Sequence, residues 1–303
     1  MDTKQIEYIL MIAEENNITK AAERLFITQS ALNQQLLKLE RELGTPLFER
    51  SRTNWHPTEA GEVYLKNARE ILRLKKETYN QISDIAATRR GNLTIGFTPG
   101  RGSQMFTSIY PRFHQAYPQI HVNPLEKGVR ELQSLIADNT VDVAFLTLRE
   151  SDQTNDCYIP LLDEEILLAV PQGHPLCETA PPPGETMATL DLTAVQYEPF
   201  VIMNRESTMR RFCNDLFAAA GFTPNILFET RSNDTILSMI RTKLCCGLIP
   251  SHYARRANDG IVFFRLPSRP FWQVTACYKR DAYLSQAARY FISLVKDIWI
   301  QEA

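Results

Sequence analysis

The chain has 303 residues, more than one hydrophobic core usually holds, and its 44% apolar and 22% charged residues are typical of a folded globular protein. A formal net charge of −2 excludes a uniformly basic protein of the kind that coats nucleic acids. No apolar run approaches the ~20 residues that a bilayer span needs, and acidic residues near the start argue against a secretory signal. We therefore expect a cytoplasmic protein without a membrane contact.

Side chains with catalytic or metal-binding potential are present, but they lack the spacing that such sites need. The six cysteines include one adjacent pair and no CxxC pair, so we expect buried, inert thiols and no zinc site. The five histidines are scattered, and the chain holds no GxSxG, HExxH or phosphate-binding GxxxxGK segment. These features predict no metal, no cofactor and no enzymatic activity.

Apolar side chains recur every three or four residues through the first ninety positions, which predicts a nearly continuous series of helices. After a first helix that ends near Asn16, Thr19 can cap a short second helix over 20–25. Thr28 can cap a third helix, and Gly44 is the natural stop beyond its end. Short helices in this order are typical of a helix-turn-helix.

A fourth helix is predicted from residue 59 to about 89, with Thr58 as its cap, and forms a rod of ~45 Å. A small neighbouring domain cannot cover its interrupted apolar seam, which consists of Leu65, Ala68, Ile71, Leu72, Tyr79, Ile82, Ile85 and Ala86. Pairing with the same helix of a second copy would bury that seam, so we expect a homodimer joined through residues 59–90.

From Gly91 onward, short apolar strands alternate with helices, which predicts an α/β fold with parallel strands. The first run is predicted as strands at 93–97, 120–126 and 141–147 with helices at 104–116 and 129–138. The second is predicted as strands at 200–204, 225–230 and 245–249 with helices at 208–219 and 234–243. Further strands at 165–171 and 272–278 precede a last helix over 285–300. Two such runs indicate two lobes with a cleft between them.

Polar side chains gather on one side of the third helix and just after it. Amides, hydroxyls and basic groups suit the base edges of a DNA major groove, and a helix N-terminus favours phosphate. Arg50 and Arg52 lie where a wing would touch the DNA backbone. The predicted DNA-binding residues are Thr28, Gln29, Ser30, Asn33, Gln34, Lys38, Arg50 and Arg52. Since residues 1–90 hold 14 basic and 13 acidic side chains, this surface must be a local patch.

The segment from Ala21 to Gly61 resembles the DNA-binding domain of LysR-type bacterial transcription regulators. The matching residues are Ala21, Ala22, Leu25, Thr28, Gln29, Ser30, Ala31, Leu32, Gln35, Leu39, Glu40, Leu43, Gly44, Leu47, Phe48, Arg50, Thr58 and Gly61. Many positions at fixed spacing make this likeness far more specific than a single short motif. Asn33 and Leu37 depart from the family pattern, which indicates an individual base preference.

The resemblance implies the whole architecture. The protein would be an α/β protein with an N-terminal winged helix-turn-helix at 1–58, a long linker helix at 59–90 and a two-lobed, periplasmic-binding-protein-like effector domain at 91–303. Lobe I would comprise about 91–163 and 270–303, and lobe II about 164–269. It also implies a sequence-specific regulator that binds double-stranded promoter DNA, is controlled by a small-molecule effector between the lobes, and forms a homodimer and then a homotetramer.

Candidate effector contacts lie where strands pass into helices, because hydroxyls and helix N-termini bind carboxylates and phosphates. These candidates are Thr98, Arg101, Ser103, Gln104, Asn204, Arg205 and Thr208. Each could equally be a plain part of a helix cap. Val129 stands where the family often has a hydroxyl residue, and Arg101 could compensate with positive charge, so we expect an anionic effector.

Other interpretations stay open from the sequence alone. The protein could be a DNA-binding regulator without a small-molecule effector, since Val129 and Lys243 alter positions that the family uses around its ligand. Residues 91–303 alone would suit a cytoplasmic small-molecule-binding protein. An enzyme is the remaining alternative, because Gly100 and Gly102 after a strand partly match a dinucleotide-binding motif, although Met105 replaces its third glycine.

Overall fold

A computed structural model describes residues 2–50, 55–86, 89–179, 181, 187–256 and 260–299. Their contacts form two compact units, Met1–Thr88 and Arg89–Ala303. The predicted fold class is confirmed, because a winged helix-turn-helix unit with a long helix is followed by a mixed α/β unit with two lobes. The domain limits inferred from the sequence stay a prediction.

The N-terminal unit consists of helices and a two-stranded wing. Its elements are α1 (Thr3–Glu15), α2 (Ile18–Arg24), α3 (Gln29–Leu43), β1 (Phe48–Arg50), β2 (Trp55–Pro57) and α4 (Glu59–Ile85). Strands β1 and β2 pair antiparallel. One apolar face of each helix enters a common core, in which Ile9, Leu36 and Leu65 are buried. The first turns of α4 therefore belong to this core, and its later turns extend beyond it.

The start of α2 differs from the prediction. Asn17, and not Thr19, caps the helix: its side-chain oxygen accepts hydrogen bonds from the backbone N–H of Thr19 (2.9 Å) and Lys20 (3.1 Å). Asparagine caps a helix as well as threonine does. A helix that begins after Asn17 also buries Ile18 in the core of the N-terminal unit. This burial stabilises the helix start through contacts with other helices, which local spacing in the sequence does not show.

The second unit alternates strands and helices over its described residues. Its elements are β3 (Gly91–Phe97), α5 (Arg101–Ala116), β4 (Ile120–Glu126), α6 (Val129–Ala137), β5 (Val143–Leu148), β6 (Cys157–Pro171), β7 (Pro199–Met203), α7 (Thr208–Ala219), β8 (Asn225–Thr230), α8 (Asn233–Arg241), β9 (Gly247–Pro250), α9 (Ser251–Arg256), β10 (Ile261–Phe264), β11 (Phe271–Tyr278) and α10 (Gln286–Leu294). A π-helical turn, Val295–Trp299, continues α10. Among the described helices, none is both long and apolar enough to cross a bilayer.

Strand β6 is shared by two sheets. Up to Glu165 it pairs with β11 in the order β6-β11-β5-β3-β4, and from Ile166 it pairs with β9 and β10. Strands β7 and β8 pair in parallel and join β9 through a bridge between Phe200 and Cys246. The sheet is mixed and not parallel throughout, because β6 and β11 run antiparallel to their neighbours.

Each sheet has its own covering helices and its own core. We call the first lobe the body built from β3, β4, β5, β11 and the start of β6 with α5, α6 and α10. We call the second lobe the body built from β7 to β10 and the end of β6 with α7, α8 and α9. Phe113 and Phe291 lie at the centre of the first core, and Phe200 and Phe217 at the centre of the second. The lobes are thus separately packed.

Candidate functional site

Helix α3 has an apolar and a polar side. Leu32, Leu36 and Leu39 are buried in the core of the N-terminal unit. The opposite side holds predicted DNA-binding residues, which are exposed except for the half-buried Asn33: Gln29, Ser30, Asn33, Gln34 and Lys38. The fold therefore presents these polar side chains together on one half of a single helix, and their contact with DNA stays a prediction.

The N-terminus of α3 is fixed by Thr28. Its hydroxyl accepts a hydrogen bond from the backbone N–H of Ala31 (3.2 Å) and lies 3.1 Å from the hydroxyl of Ser30. Such a cap satisfies one of the amides that a helix leaves without an internal partner. Thr28 thus has a structural role in α3, and its contact with DNA stays a prediction.

Arg50 is engaged within the N-terminal unit. Its guanidinium forms an ion pair with the buried carboxylate of Glu40 and lies over the ring of Trp55, 5.5 Å from the ring centroid. Glu40 also accepts a hydrogen bond from the backbone N–H of Leu47 (2.9 Å). Arg50 therefore fastens the wing to the end of α3, a role that the sequence did not reveal, and its phosphate contact stays a prediction. Arg52 lies outside the described residues.

The first turn of α4 approaches the wing very closely. The hydroxyl of Thr58 accepts a hydrogen bond from the backbone N–H of Gly61 (3.0 Å) and donates one to the carbonyl of Pro46 (2.8 Å). A Cβ atom at Gly61 would lie 2.1 Å from the carbonyl oxygen of Leu47. Only glycine fits this position, so the Thr58 and Gly61 part of the motif sets how α4 packs on the wing.

A cavity of about 680 Å³ lies between the two lobes of the second unit. Its wall includes the ends of strands β3, β4, β5 and β7 and the starts of helices α5, α6, α7 and α8. This volume is in the range of pockets that hold small metabolites and drug-sized molecules. Four predicted effector residues line it: Thr98, Arg101, Asn204 and Thr208.

Three other predicted effector residues lie elsewhere. Within the described wall of the cavity, Ser103, Gln104 and Arg205 do not take part. Gln104 is exposed, and the side chain of Arg205 is 86% exposed near Glu229. Since each residue turns a helix by about 100°, only the first positions of α5 face the cavity while the next ones turn away. Proximity in sequence to a helix start was therefore not sufficient to predict which side chains line the cavity.

The wall also contains residues that the sequence did not single out. They include the basic Lys127, Arg130 and Arg231, the acidic Glu164, and the apolar or aromatic Met203, Met209, Tyr253 and Trp272. Tyr253 belongs to α9, a helix that the pattern missed, and Trp272 reaches the cavity from β11. For Trp272, the available signal in the sequence was an aromatic residue at the start of a predicted strand. Spacing alone could not show where that strand lies in the sheet, and therefore not that Trp272 faces the cavity.

A buried ion pair lines the cavity. Arg101 and Glu164 are paired, and their side chains are only 9% and 1% exposed. Glu164 also accepts hydrogen bonds from the indole N–H of Trp272 (2.8 Å) and the backbone N–H of His252 (3.2 Å). Because Glu164 neutralises Arg101, the expectation that Arg101 supplies net positive charge for an anionic effector is wrong.

The remaining charges of the cavity also balance. Four acidic and four basic side chains line it. Besides the Arg101 pair, Lys127 pairs with Glu131 in the first lobe (2.8 Å) and Arg231 with Glu206 in the second (3.0 Å). A ligand therefore meets no large net field of one sign. Recognition must depend on local groups of the wall.

Two helix N-termini of the first lobe differ from that of α7 in the second. The cap positions of α5 and α6 are Gly100 and Gly128, and neither provides a side-chain hydrogen bond. In contrast, the hydroxyl of Ser207 caps α7 by accepting from the backbone N–H of Met209 (3.2 Å). Backbone N–H groups at the start of a helix attract anions. The first-lobe side of the cavity is thus the better place for an anionic group.

Helix α7 joins the second lobe to the first beside the cavity. The hydroxyl of Thr208 donates a hydrogen bond to the carbonyl of Thr147 (3.2 Å). Further along α7, Asp215 pairs with Arg149 (2.5 Å), whose guanidinium lies 4.9 Å from the centroid of the Phe212 ring. Thr208 therefore lines the cavity and links the lobes, so that an occupant of the cavity could alter the contact between them.

Four of the six thiols are buried, as predicted for inert cysteines. Burial raises the pKa of Cys213, Cys246 and Cys277 to about 12, and it also raises the pKa of Cys245. Because the thiolate is the reactive form, these four are weak nucleophiles at neutral pH. Cys157 and Cys177 are half-buried, so the prediction of full burial is wrong for these two.

Comparison with known proteins agrees with this geometry. Residues 3–62 match the family model of bacterial regulatory helix-turn-helix proteins of the lysR family, and residues 86–299 match the LysR substrate binding domain. The chain is 29% identical to YcgK of Bacillus subtilis, an uncharacterized HTH-type transcriptional regulator, over 98% of this chain and 94% of that protein. It is 27% identical to the DNA-binding transcriptional dual regulator OxyR of Escherichia coli, over 87% and 84% of the two chains.

Solved structures share the fold over nearly the whole chain. A full-length OxyR variant from Pseudomonas aeruginosa has a TM-score of 0.68 at 22% identity and covers 98% of this chain and 97% of its own. Full-length CbnR complexed with its target DNA has a TM-score of 0.60 at 20% identity, with 98% and 99% covered. With both family models matched over most of its length, this chain is a DNA-binding transcription regulator, not an enzyme, and belongs to the LysR family.

Proposed function

We propose that this protein is a sequence-specific regulator of transcription whose hold on promoter DNA is controlled by a small molecule in the cavity between the lobes. The observation that carries the proposal is the cavity itself, because both lobes contribute polar side chains and helix starts to one space of about 680 Å³. The exposed polar side of α3 would read the DNA. As a regulator of promoters, the protein would act in the cytoplasm.

The effector that fits this wall carries an anionic group on an apolar or aromatic body. The anionic group would lie at the starts of α5 and α6, where Gly100 and Gly128 leave the caps without a side chain. The body would contact Met203, Tyr253 and Trp272. Since the wall has balanced charges, a single negative group suits it better than a multiply charged ligand.

The proposed effector site can be tested by measuring the thermal unfolding temperature of the full-length protein in the presence of each member of a library of small carboxylates, phosphates and amino acids. A ligand that binds only the folded state stabilises it by ~2.7 kcal/mol at a hundred times its Kd. We expect at least one stabilising compound. We expect Thr98→Val with Asn204→Ala to reduce its effect at least about tenfold in affinity, because these two polar side chains line the cavity next to the start of α5 and next to Met203. Gln104→Ala, outside the wall, is the matched control and should keep it.

Two results would contradict the proposal. One is a broad library that yields no stabilising compound, which would leave the alternative of a regulator without a small-molecule effector. The other is a stabilising compound that binds the Thr98 and Asn204 double variant with unchanged affinity, which would contradict the site proposed between these two residues. The compound should also change the DNA footprint, because a ligand shifts two states only by its different affinity for them.

Base recognition by α3 is tested with Gln34→Ala. We expect a loss of ~1–3 kcal/mol for the preferred base at one position of each half-site, because an amide that bonds a base edge twice distinguishes it from the others. Selection from random duplexes followed by binding measurements would show this relaxed preference. Gln81→Ala, an exposed glutamine on α4, should leave the preference unchanged.

Arg50→Ala gives the contrasting result. It should weaken binding to all sequences alike and flatten the salt dependence by about one unit, as expected for a phosphate contact. Because Arg50 also pairs with Glu40, the variant should lose wing stability as well. An altered base preference with an unchanged salt slope would show that its assigned role is wrong.

Self-association is proposed through two surfaces. Helix α4 exposes Leu74, Tyr79, Ile82 and Ile85 beyond the core of its unit, and Ile85 is 86% exposed. We propose that this face pairs with the same face of a second copy to form the homodimer. In the second unit, the edge strand β8 exposes Ile226, Leu227 and Phe228 in succession, and we propose it as the second contact, which completes a homotetramer.

These contacts are tested by sedimentation of full-length variants. Ile82→Glu with Ile85→Glu should remove the α4 contact and halve the assembly, while Leu227→Asp should leave a dimer. Gln81→Glu, which adds one charge to α4 beside the apolar face, is the control and should keep the native mass.

A dimer places half-sites about one DNA turn apart, so five inserted base pairs should abolish cooperative binding. A wild-type monomer at micromolar concentration would overturn the assembly.

A further inference from the structure

Phe26 is the most exposed large apolar side chain in the part of the chain that the structure describes, with 95% of its surface accessible. It lies in the turn between α2 and α3, and its φ of 53° is in the left-handed region. Backbone hydrogen bonds hold this turn, from Phe26 N–H to the Glu23 carbonyl and from Ile27 N–H to the Ala22 carbonyl, both 3.1 Å. The turn therefore directs the aromatic ring outward.

Phenylalanine is an unfavourable residue for this position as far as folding is concerned. Its Cβ atom meets steric resistance in the left-handed region, which glycine and asparagine tolerate better. Its ring gains almost no burial within the described N-terminal unit. Both costs would vanish with asparagine, so a benefit of the ring must come from a contact outside the chain.

DNA is the partner that this location favours. Phe26 precedes the cap Thr28 by two residues, a span of at most ~7 Å, and the exposed Gln29 and Ser30 follow directly. The ring thus lies at the edge of the proposed DNA-reading face. The major groove offers one apolar group to such a ring, the 5-methyl group of thymine.

We propose that Phe26 is a specificity-determining residue, whose ring packs on the methyl group of a thymine next to the base pairs that Gln29 and Ser30 read. This inference rests on the proposed DNA-reading face of α3. It adds a hydrophobic contact with one base to the polar contacts of that face. It also explains why an aromatic residue occupies a turn that would fold more easily without one.

The test uses the full-length protein and a duplex that the wild type selects from a random pool. Phe26→Asn should unfold at the same or a higher temperature and bind this duplex at least about sixteenfold more weakly, about fourfold for each of its two half-sites. Replacing one thymine of each half-site by deoxyuridine should weaken wild-type binding about fourfold per half-site. The same replacement should not weaken the binding of the Phe26→Asn variant any further. Tyr197→Asn, which alters an 88% exposed aromatic residue of the other unit, should bind like the wild type.

Gln34→Ala separates this inference from the DNA-reading face on which it rests. If Gln34→Ala relaxes the selected sequence, the face is established and the Phe26 results test the inference alone. Unchanged affinity of Phe26→Asn would overturn it, and a simultaneous loss of transcriptional control would assign the ring to a protein partner instead. A deoxyuridine penalty that is equal in wild type and variant would overturn it as well.

Discussion

Gly61→Ala will destabilise the N-terminal unit by about 3 kcal/mol or more and abolish specific DNA binding. The added Cβ atom would lie 2.1 Å from the carbonyl oxygen of Leu47, so that α4 and the wing have to separate. Overpacking of this kind costs about 1–3 kcal/mol when side chains can adjust, and a backbone oxygen adjusts less readily. Urea unfolding with a DNA-binding measurement on the same samples would show both losses.

Gly44→Ala is the matched control. Gly44 has a φ of 71°, and a Cβ atom there would meet nothing within 4 Å. Its cost is therefore conformational only, about 1–2 kcal/mol, and DNA binding should persist. Equal stability losses in the two variants would contradict the steric explanation of Gly61, because the close contact exists at Gly61 and not at Gly44.

Glu164→Gln will destabilise the second unit by about 3–5 kcal/mol, because it leaves the buried guanidinium of Arg101 without a counter-charge. Glutamine is nearly the same size, but its single carbonyl oxygen can keep only one of the two hydrogen bonds that the separate Glu164 oxygens accept from the indole of Trp272 and the backbone of His252. The loss would therefore measure the lost counter-charge of Arg101 together with one lost hydrogen bond, and not a lost shape. Urea unfolding followed by tryptophan fluorescence is the direct measurement.

Arg101→Met combined with Glu164→Gln supplies the control. The double variant contains neither buried charge, so it should recover much of the stability that Glu164→Gln loses. A double variant as unstable as the single one would show that the ion pair is not the cause. Since Arg101 lines the cavity, the double variant should also bind any effector differently even when it folds well.

The features predicted well from the sequence are those that short segments determine. Thr28 caps α3 and Gly44 ends it because both requirements involve only neighbouring backbone groups. The start of α2 was predicted less well, since burial of Ile18 in the shared core favours the cap at Asn17. Strand β6 was predicted from residue 165 only. Its first part has a less continuous apolar pattern and is stabilised by pairing with β11.

The candidate site shows the same limit more strongly. Thr98 and Asn204 were identified because a polar residue at a strand end is a local signal. The pairing of Arg101 with Glu164 was not, because the start of helix α5 and strand β6, which are distant in sequence, bring the two together. Because of that pairing, Arg101 contributes no net positive charge to the cavity, although residue type alone predicts one. Chemistry that depends on long-range partners cannot be assigned from residue type alone.

The position of β11 has a consequence for how the protein is made. It lies between β5 and β6 in the first-lobe sheet, yet it is the last of the described strands to leave the ribosome. By then the strands of the second lobe have all emerged, so that this inserted lobe can fold during synthesis. The first lobe waits with the edge of β5 uncovered, and an uncovered edge invites aggregation. Chaperone demand should therefore peak just before β11 appears and fall once it docks.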